Sequence, residues 1–302
     1  MSIVELSLKL FFDEEIKFRS FSGYVAQGLM YRLIQEANRE LSAIYHDSST
    51  IKPFATSALE IESSSGKKVV YKRVPSESTG FLKFTFLGKK IPELLFSVIK
   101  DGLDSVWMEN KRVKVLEVFV NFIGFDEILS ESRAVNKFKI HFKTPTFFRL
   151  PISSCCPDCP EYRKYLEIGR NRKICPFMIR RPRGLYVPLP MPTLMISNLI
   201  RVWNKFSPNP LDRKWLIDWV DGGGVILAGF PSGIKTVKVF KSENEFNVGF
   251  IGTVNYNVTD QLFDERKVKV LDALLRFAEY SNVGGGRTAG FGVVEYKPKY
   301  GD

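Results

Sequence analysis

Histidine is scarce in this chain of 302 residues, which has only two, His46 and His141. A site built from several histidine ligands is therefore excluded. No apolar run approaches the roughly 18 residues that a membrane-spanning helix needs. The N-terminal segment MSIVELSLKLFFDEEIKF has acids where a secretory signal peptide would carry its basic start and apolar run. We therefore expect a cytoplasmic protein.

Cysteine is also scarce, and the few cysteines fall in one segment. Cys156 and Cys159 have the spacing of zinc ligands, and Cys175 is a candidate third ligand. Cys155 stands directly beside Cys156, which makes it a poor fourth ligand in the same tetrahedron. A structural zinc ion, a disulfide and free thiols all stay open, and a disulfide would require the cytoplasm of a thermophile. The sequence shows no carboxylate cluster with the spacing of a metal-dependent nuclease.

Positive charge is what the chain has in excess. Its 44 lysines and arginines against 33 aspartates and glutamates give a net charge of +11. Such an excess indicates a polyanionic partner, either nucleic acid or an anionic membrane surface. The window 161–183 has eight basic and two acidic side chains, with Tyr162, Tyr165 and Phe177 among them. Basic residues interleaved with aromatics favour a surface that contacts phosphates, and a solvated loop is the alternative.

The pattern of apolar residues predicts two similar halves. Each half has the order strand, helix, strand, strand, helix, strand. In the first half, a helix begins at Ser22, a plausible N-cap, and a short helix covers Ile91–Gly102. In the second half, a helix covers Thr193–Phe206 and a strand covers Val225–Phe240.

Tandem units of this kind are typical of an α+β protein with two ferredoxin-like (βαββαβ, RRM-like) domains. We place the first domain at residues 1–128 and the second at 129–302. A long insertion, roughly 144–190, holds the cysteines and the basic window.

The most specific string is NVGGGRTAGFGVVEY at residues 282–296, between the last predicted helix and the last strand. Glycine lets the backbone approach a phosphate closely or turn with positive φ. A helix C-cap followed by a bulged strand explains two glycines, but not five with an arginine among them. The string matches neither the phosphate loop nor the dinucleotide-binding loop. No Gly-Lys-Ser/Thr follows it, and its glycines come after a helix instead of opening one.

The glycine-rich string, the tandem halves and the basic charge resemble the CRISPR-associated repeat-processing endoribonucleases of the RAMP superfamily. Three more strings are similar to this family: FKTPTFFR (142–149), PLPMPTLMISNLIRVWNKFSP (188–208) and GFIGTVNYNV (249–258). The resemblance implies CRISPR repeat RNA as the partner. It also implies cleavage by 2′-hydroxyl attack, without a catalytic metal ion or cofactor, to give 2′,3′-cyclic phosphate and 5′-hydroxyl ends.

Several points stay open beside this resemblance. A non-cleaving RNA-binding subunit of the same superfamily is the alternative function. Association with a CRISPR effector complex and the oligomeric state are also open. We predict that the RNA backbone contacts the glycine-rich string through Gly284, Gly285, Gly286, Arg287, Thr288, Gly290 and Gly292.

The implied reaction needs a group that takes the 2′-hydroxyl proton, a group that protonates the 5′-oxygen, and a cation for the developing charge. A lone histidine is usually a core or surface residue. The resemblance implies a catalytic histidine after the first helix, where His46 lies. It also implies that a tyrosine of this helix arranges or activates the attacking group, and Tyr31 matches. Lys52, the only cation in 47–60, is the candidate cation, unless it is a solvated loop lysine. We expect His141 to be a strand-surface or RNA-contact residue.

Overall fold

A computed structural model of the chain describes residues 2–46, 51–64, 66–88, 103–150 and 185–300, together with Glu93. The cysteines, the window 161–183 and nearly all of the predicted helix 91–102 lie outside the described residues. Glu93 itself is helical. None of the helices in the described ranges is long and apolar enough to cross a membrane.

The first half is built on one long strand and its neighbours. Its strands are β1 (Ser2–Phe12), β2 (Ile16–Lys17), β3 (Phe54–Thr56), β4 (Glu60–Ser63), β5 (Gly66–Val69), β6 (Arg73–Val74), β7 (Ser78–Leu87), β8 (Ser105–Met108) and β9 (Lys111–Gly124). Its helices in the described residues are α1 (Ser22–Ala37) and α2 (Arg39–His46), and α3 (Phe125–Ser130) follows β9.

The second half repeats this layout. Its strands are β10 (Val135–Thr146), β11 (Phe148–Leu150), β12 (Leu185–Val187), β13 (Val225–Gly229), β14 (Ile234–Phe240), β15 (Phe246–Val258) and β16 (Val294–Tyr300). Its helices are α4 (Pro192–Phe206), α5 (Arg213–Trp219) and α6 (Glu265–Ser281), and a wider turn of helix, Val220–Gly224, extends α5.

Strand order shows that the two halves share one topology. The first sheet runs β5-β4-β7-β1-β9-β8 with β3 also on β7, and the second runs β13-β15-β10-β16 with β14 also on β15. In the first sheet β1 lies between β7 and β9, and in the second β10 lies between β15 and β16. All four of these pairs are antiparallel. This repeated order confirms the predicted α+β class with tandem ferredoxin-like units.

Each sheet buries one face under helices. Strand β1 alternates, so that Leu6, Leu8 and Leu10 are buried against the apolar stripe of α1, which includes Met30 and Leu33. This is the spacing that a half-buried strand and an amphipathic helix require. In the second half the fully buried Trp203 of α4 is the largest core side chain. Its ring packs edge-to-face on Phe125 and Phe277, with ring centroids 5.0 and 5.2 Å away.

Three sequence predictions need correction. Ser22 is not an N-cap: it is the first residue of α1, and its buried hydroxyl donates to the carbonyl of Val70 and accepts from the N–H of Leu59. The single strand predicted over Val225–Phe240 is two strands, because Gly233 turns the chain with a φ of 72°. The insertion begins later than residue 144, since β10 and β11 continue to Leu150. The domain boundary at residue 128 stays a prediction.

A buried carboxylate ties α6 to the last strand. Asp272 is fully buried and accepts hydrogen bonds from Tyr296 Oη at 2.6 Å, Arg276 Nε at 2.9 Å and the backbone N–H of Arg133 at 3.0 Å. A buried charge is tolerated when hydrogen bonds and an opposite charge satisfy it, and here both do.

We expect Asp272→Ala to lower the free energy of unfolding by about 3 kcal/mol, because it leaves the Tyr296 hydroxyl and the Arg276 guanidinium without their acceptor. Tyr296→Phe removes only one donor and should cost about 1 kcal/mol. Urea unfolding followed by circular dichroism measures both. Equal losses in the two variants would show that the carboxylate is not the centre of this network.

Candidate active site

The glycine-rich string forms a loop between α6 and β16 that lies where the two halves meet. At Gly290, φ is 72° and an added Cβ would lie 2.8 Å from the Cα of Gly23 and 2.9 Å from the N of Ala58. Real Cβ atoms essentially never approach backbone atoms so closely. The start of α1, the segment before β4 and the loop are therefore in direct backbone contact, and only glycine fits at this point.

Polar side chains attach the loop to the first half. Gln27 Nε2 of α1 donates to Thr288 Oγ1 at 2.7 Å, and Thr56 Oγ1 of β3 donates to the carbonyl of Thr288 at 3.0 Å. Asn282 Nδ2, buried at the start of the loop, donates to the carbonyls of Thr56 and Arg287 at 2.8 and 3.1 Å. The loop is thus bonded to both α1 and β3.

The second half holds the other side of the loop. The backbone N–H of Gly284 donates to Asn198 Oδ1 of α4 at 2.8 Å, and the N–H of Gly285 donates to the carbonyl of Phe147 at 2.9 Å. The ring of Phe291 lies 5.5 Å from that of Phe21 and 5.6 Å from that of Phe147, one from each half. We refer to the contacts of the glycine-rich loop, residues 282–292, with both halves as the joint. Aromatic contacts at these distances stabilise the joint beyond the effect of burial alone.

The residues of the loop that are predicted to bind RNA differ in burial. Buried in the joint are Gly284, Arg287, Gly290 and Gly292, whereas Gly285, Gly286 and Thr288 are partly exposed. The close packing of the buried glycines explains their number without a ligand. RNA contact by the seven residues stays a prediction, and the exposed edge of the loop is where a phosphate has access.

Tyr31, one turn of α1 after Gln27, is partly buried. Its hydroxyl donates to the backbone carbonyl of Tyr45 at 3.1 Å, and its ring packs edge-to-face on Phe54 at 5.6 Å. Tyr45 also packs on Phe54, at 6.4 Å. Burial raises the pKa of the Tyr31 phenol, so the hydroxyl keeps its proton at neutral pH. The hydrogen bond of Tyr31 ties α1 to the end of α2, and a catalytic role for Tyr31 stays a prediction.

The three predicted catalytic positions belong to segments that meet at Phe54. His46 is the last residue of α2 and follows Tyr45 directly. Its side chain lies outside the described part of the structure. Lys52 is partly exposed and precedes β3 by two residues. Gln27 and Tyr31 are four residues apart and therefore lie on the same face of α1. Since Gln27 bonds to the glycine-rich loop, this face places the loop next to the meeting point at Phe54.

His141 lies elsewhere, on β10 of the second sheet. Its Nδ1 is 2.9 Å from Thr253 Oγ1 on the neighbouring strand. Burial lowers its pKa, with Lys143 and Lys297 acting in the same direction and Glu295 against it. It is a partly buried strand residue of the second sheet.

No group of three or more His, Cys, Asp or Glu side chains could hold a metal ion within the described ranges. Cys156, Cys159 and Cys175 fall outside those ranges, so the zinc site stays a prediction. Sequence reasoning missed Gln27, Thr56 and Asn198, which hold the loop. Each is an ordinary polar residue in its own segment, and no local pattern marks it.

Comparison with known proteins identifies relatives of this architecture. The family described as CRISPR-associated endoribonuclease Cas6 matches residues 140–294, just over half of the chain. No curated protein sequence gives a significant match.

Solved structures match over nearly the whole chain. The product complex of a Thermus thermophilus Cas6 gives a TM-score of 0.71 at 19% identity, over 98% of this chain and 99% of that one. A Cas6 in complex with a substrate mimic gives 0.62 at 16% identity, over 99% and 100%. The Cas6-related protein from Pyrococcus furiosus gives 0.54 at 10% identity, over 98% of both chains. At these identities the match shows a shared fold.

The joint at Gly290 predicts opposite effects of one substitution at two glycines. Gly290→Ala should lower the melting temperature by several degrees, because it adds a Cβ at positive φ against two backbones. Gly28→Ala, on α1 with no atom within 4 Å of the added Cβ, should raise it slightly, since alanine favours a helix. Differential scanning calorimetry of both variants tests this. A Gly290→Ala protein that melts with the wild type would contradict the close packing.

Proposed function

Because this chain belongs to the family of CRISPR-associated Cas6 endoribonucleases, we propose that it cuts CRISPR repeat RNA by metal-independent transesterification. The ribose 2′-oxygen attacks the adjacent phosphorus, and the bond from phosphorus to the 5′-oxygen breaks. The products are a 2′,3′-cyclic phosphate and a 5′-hydroxyl. No water or external cofactor is needed to balance this step.

One observation carries the proposal: Tyr31 holds the backbone of Tyr45, immediately before His46, at the edge of the joint. A catalytic group must be held within a fraction of an ångström of its productive position, and a backbone tether from a neighbouring helix supplies that constraint. The same helix face carries Gln27, which fixes Thr288 of the loop. A repeat RNA lying along the exposed edge of the loop would thus reach the end of α2.

Each candidate residue takes one role in the proposal. His46 moves a proton, for which an imidazole is suited near neutral pH. Lys52 stabilises the negative charge that develops on the phosphorane. Tyr31 is a positioning residue. In this proposal the first half, 1–128, supplies these groups, and the second half, 129–302, supplies the glycine-rich loop and most of the basic surface.

Binding of repeat RNA has further support. The net charge of +11 favours a phosphate backbone as partner. Among the matched structures, Cas6 proteins are seen with a product and with a substrate mimic. We extend the proposal to the cytoplasm as the place of the reaction and to a CRISPR effector complex as a further partner.

A binding role without cleavage is the second candidate. A matched structure described as a RAMP protein binding different RNA substrates has a TM-score of 0.50 at 10% identity. The chemistry of the cut, measured on this chain, separates the two functions.

His46→Ala should lower the single-turnover cleavage rate of repeat RNA by roughly 10²–10⁴-fold, because it removes the proton-transfer group. RNA affinity should stay within a few-fold, since the imidazole is not needed for binding. His141→Ala is the matched control, as it removes the only other histidine, and should cleave at close to the wild-type rate. Equal rates for His46→Ala and wild type would remove His46 from the mechanism.

A repeat RNA with 2′-deoxyribose at the cut site should bind and stay intact, because the attacking oxygen is missing. The natural RNA should be cut equally well with and without excess chelator, and its products should carry cyclic phosphate or its hydrolysis product. Gel analysis with end-group mapping by mass spectrometry gives both answers. Strict dependence on Mg²⁺, or cleavage of the deoxy substrate, would exclude transesterification.

A further inference from the structure

Four arginines from four separate segments lie close enough around Arg201 of α4 for their charges to interact. Arg201 lies on α4 itself, Arg149 on β11 and Arg213 at the start of α5. All three side chains are exposed, although the guanidinium end of Arg201 is partly covered. The fourth, Arg287, is buried in the glycine-rich loop. We refer to these four residues as the arginine cluster.

Hydrogen bonds and ring contacts fix the cluster in place. Arg213 Nη2 lies 3.4 Å from Oγ of Ser197, one turn of α4 before Arg201. The next residue, Asn198, both donates to and accepts from Gly284 of the loop. The guanidinium of Arg149 stacks over the exposed ring of Tyr186, its partner across the β11–β12 pair, at 5.4 Å.

Within the described residues, no carboxylate lies at ion-pair distance from the arginine cluster. None of the four arginines forms an ion pair there, whereas lysines of both halves do. The terminal Nη2 of Arg287 is buried and has no hydrogen-bond acceptor in the same described part of the chain. Like charges held together without a counter-charge are costly, and this cost is relieved when an anion binds.

The electrostatics support this geometry. Partial burial of its guanidinium, and then the charges of Arg149 and Arg213, lower the pKa of Arg201. Burial, and then Arg201, lower the pKa of Arg287 to about 10. Both groups stay charged at neutral pH, so each feels the positive charge of its neighbours and the cluster attracts anions.

We infer that Arg149, Arg201 and Arg213 form a subsite for a backbone phosphate of the bound RNA, with Arg287 behind them. Planar guanidinium groups match phosphate oxygens two at a time, which lysine cannot do. Tyr186 adds an exposed aromatic face beside the phosphate position, on which a nucleotide base stacks. The inference rests on the proposed function and names a place where the RNA is held.

The subsite lies on the second-half side of the loop, whereas Tyr31 lies on the side of α1 and β3. The arginines therefore act on binding and register of the RNA, away from the bond that is cut. An acidic protein segment is the competing occupant. The stacked Arg149–Tyr186 pair favours RNA, because a protein carboxylate gains nothing from the neighbouring aromatic face.

The test measures binding of repeat RNA made uncleavable by 2′-deoxyribose at the cut site, at several KCl concentrations. Arg201→Gln should weaken binding roughly tenfold at low salt and reduce the slope of log Kd against log salt by about 1. Arg201→Lys should restore the slope but only part of the affinity, because it keeps the charge and loses the planar fork. Circular dichroism confirms that each variant is folded.

Arg112→Gln is the matched control, since Arg112 is an exposed arginine of β9 that donates to Ser105 Oγ in the first sheet. Equal effects of Arg112→Gln and Arg201→Gln would overturn the subsite, and so would unchanged RNA binding by Arg201→Gln, whether or not an acidic peptide then binds. Failure of the proposed function differs from failure of the subsite, because in the first case the wild-type protein would leave natural repeat RNA uncut. The subsite is wrong if the wild type cuts the RNA and Arg201→Gln binds the uncleavable RNA as tightly as the wild type does.

Discussion

The two halves depend on the backbone contact at Gly290, where the glycine-rich loop lies against α1 and the segment before β4. A contact between main chains leaves no side chain to adjust, so the spacing between the halves is set to within a fraction of an ångström. The hydrogen bonds of Thr288 and the ring contacts of Phe291 then fix the orientation. The first half, the second half and the loop behave at this joint as one packed unit.

Function follows from that joint because both candidate sites are attached to it from opposite sides. Helix α1 carries Gln27 towards the loop and Tyr31 towards the end of α2. Helix α4 carries Asn198, which bonds to the loop, and Arg201, which belongs to the arginine cluster. In the proposed function, a nucleic acid that crosses the exposed edge of the loop would meet a binding group and a reacting group whose separation the protein itself fixes.

Local patterns in the sequence were enough to predict the fold class. Alternation in β1 and the apolar stripe of α1 predicted a sheet covered by a helix, and the repeat of this pattern predicted two halves. The prediction failed where tertiary contacts decide: Ser22 bonds to strand residues instead of capping its helix. The arginine cluster was not found, because Arg149, Arg201 and Arg287 are far apart in the chain. The catalytic positions came from family resemblance, since a single histidine has no local signature.

The short β11–β12 pair has a consequence for how the chain is assembled. Leu150 and Leu185 are neighbours across this ladder, so the two described ends on either side of residues 151–184 lie next to each other. A segment joined in this way is a cassette: its length can change while the strands on which both halves depend keep their order. Closure of Leu150 to Leu185 with a tight turn would therefore give a shorter chain that keeps the register of the β11–β12 ladder.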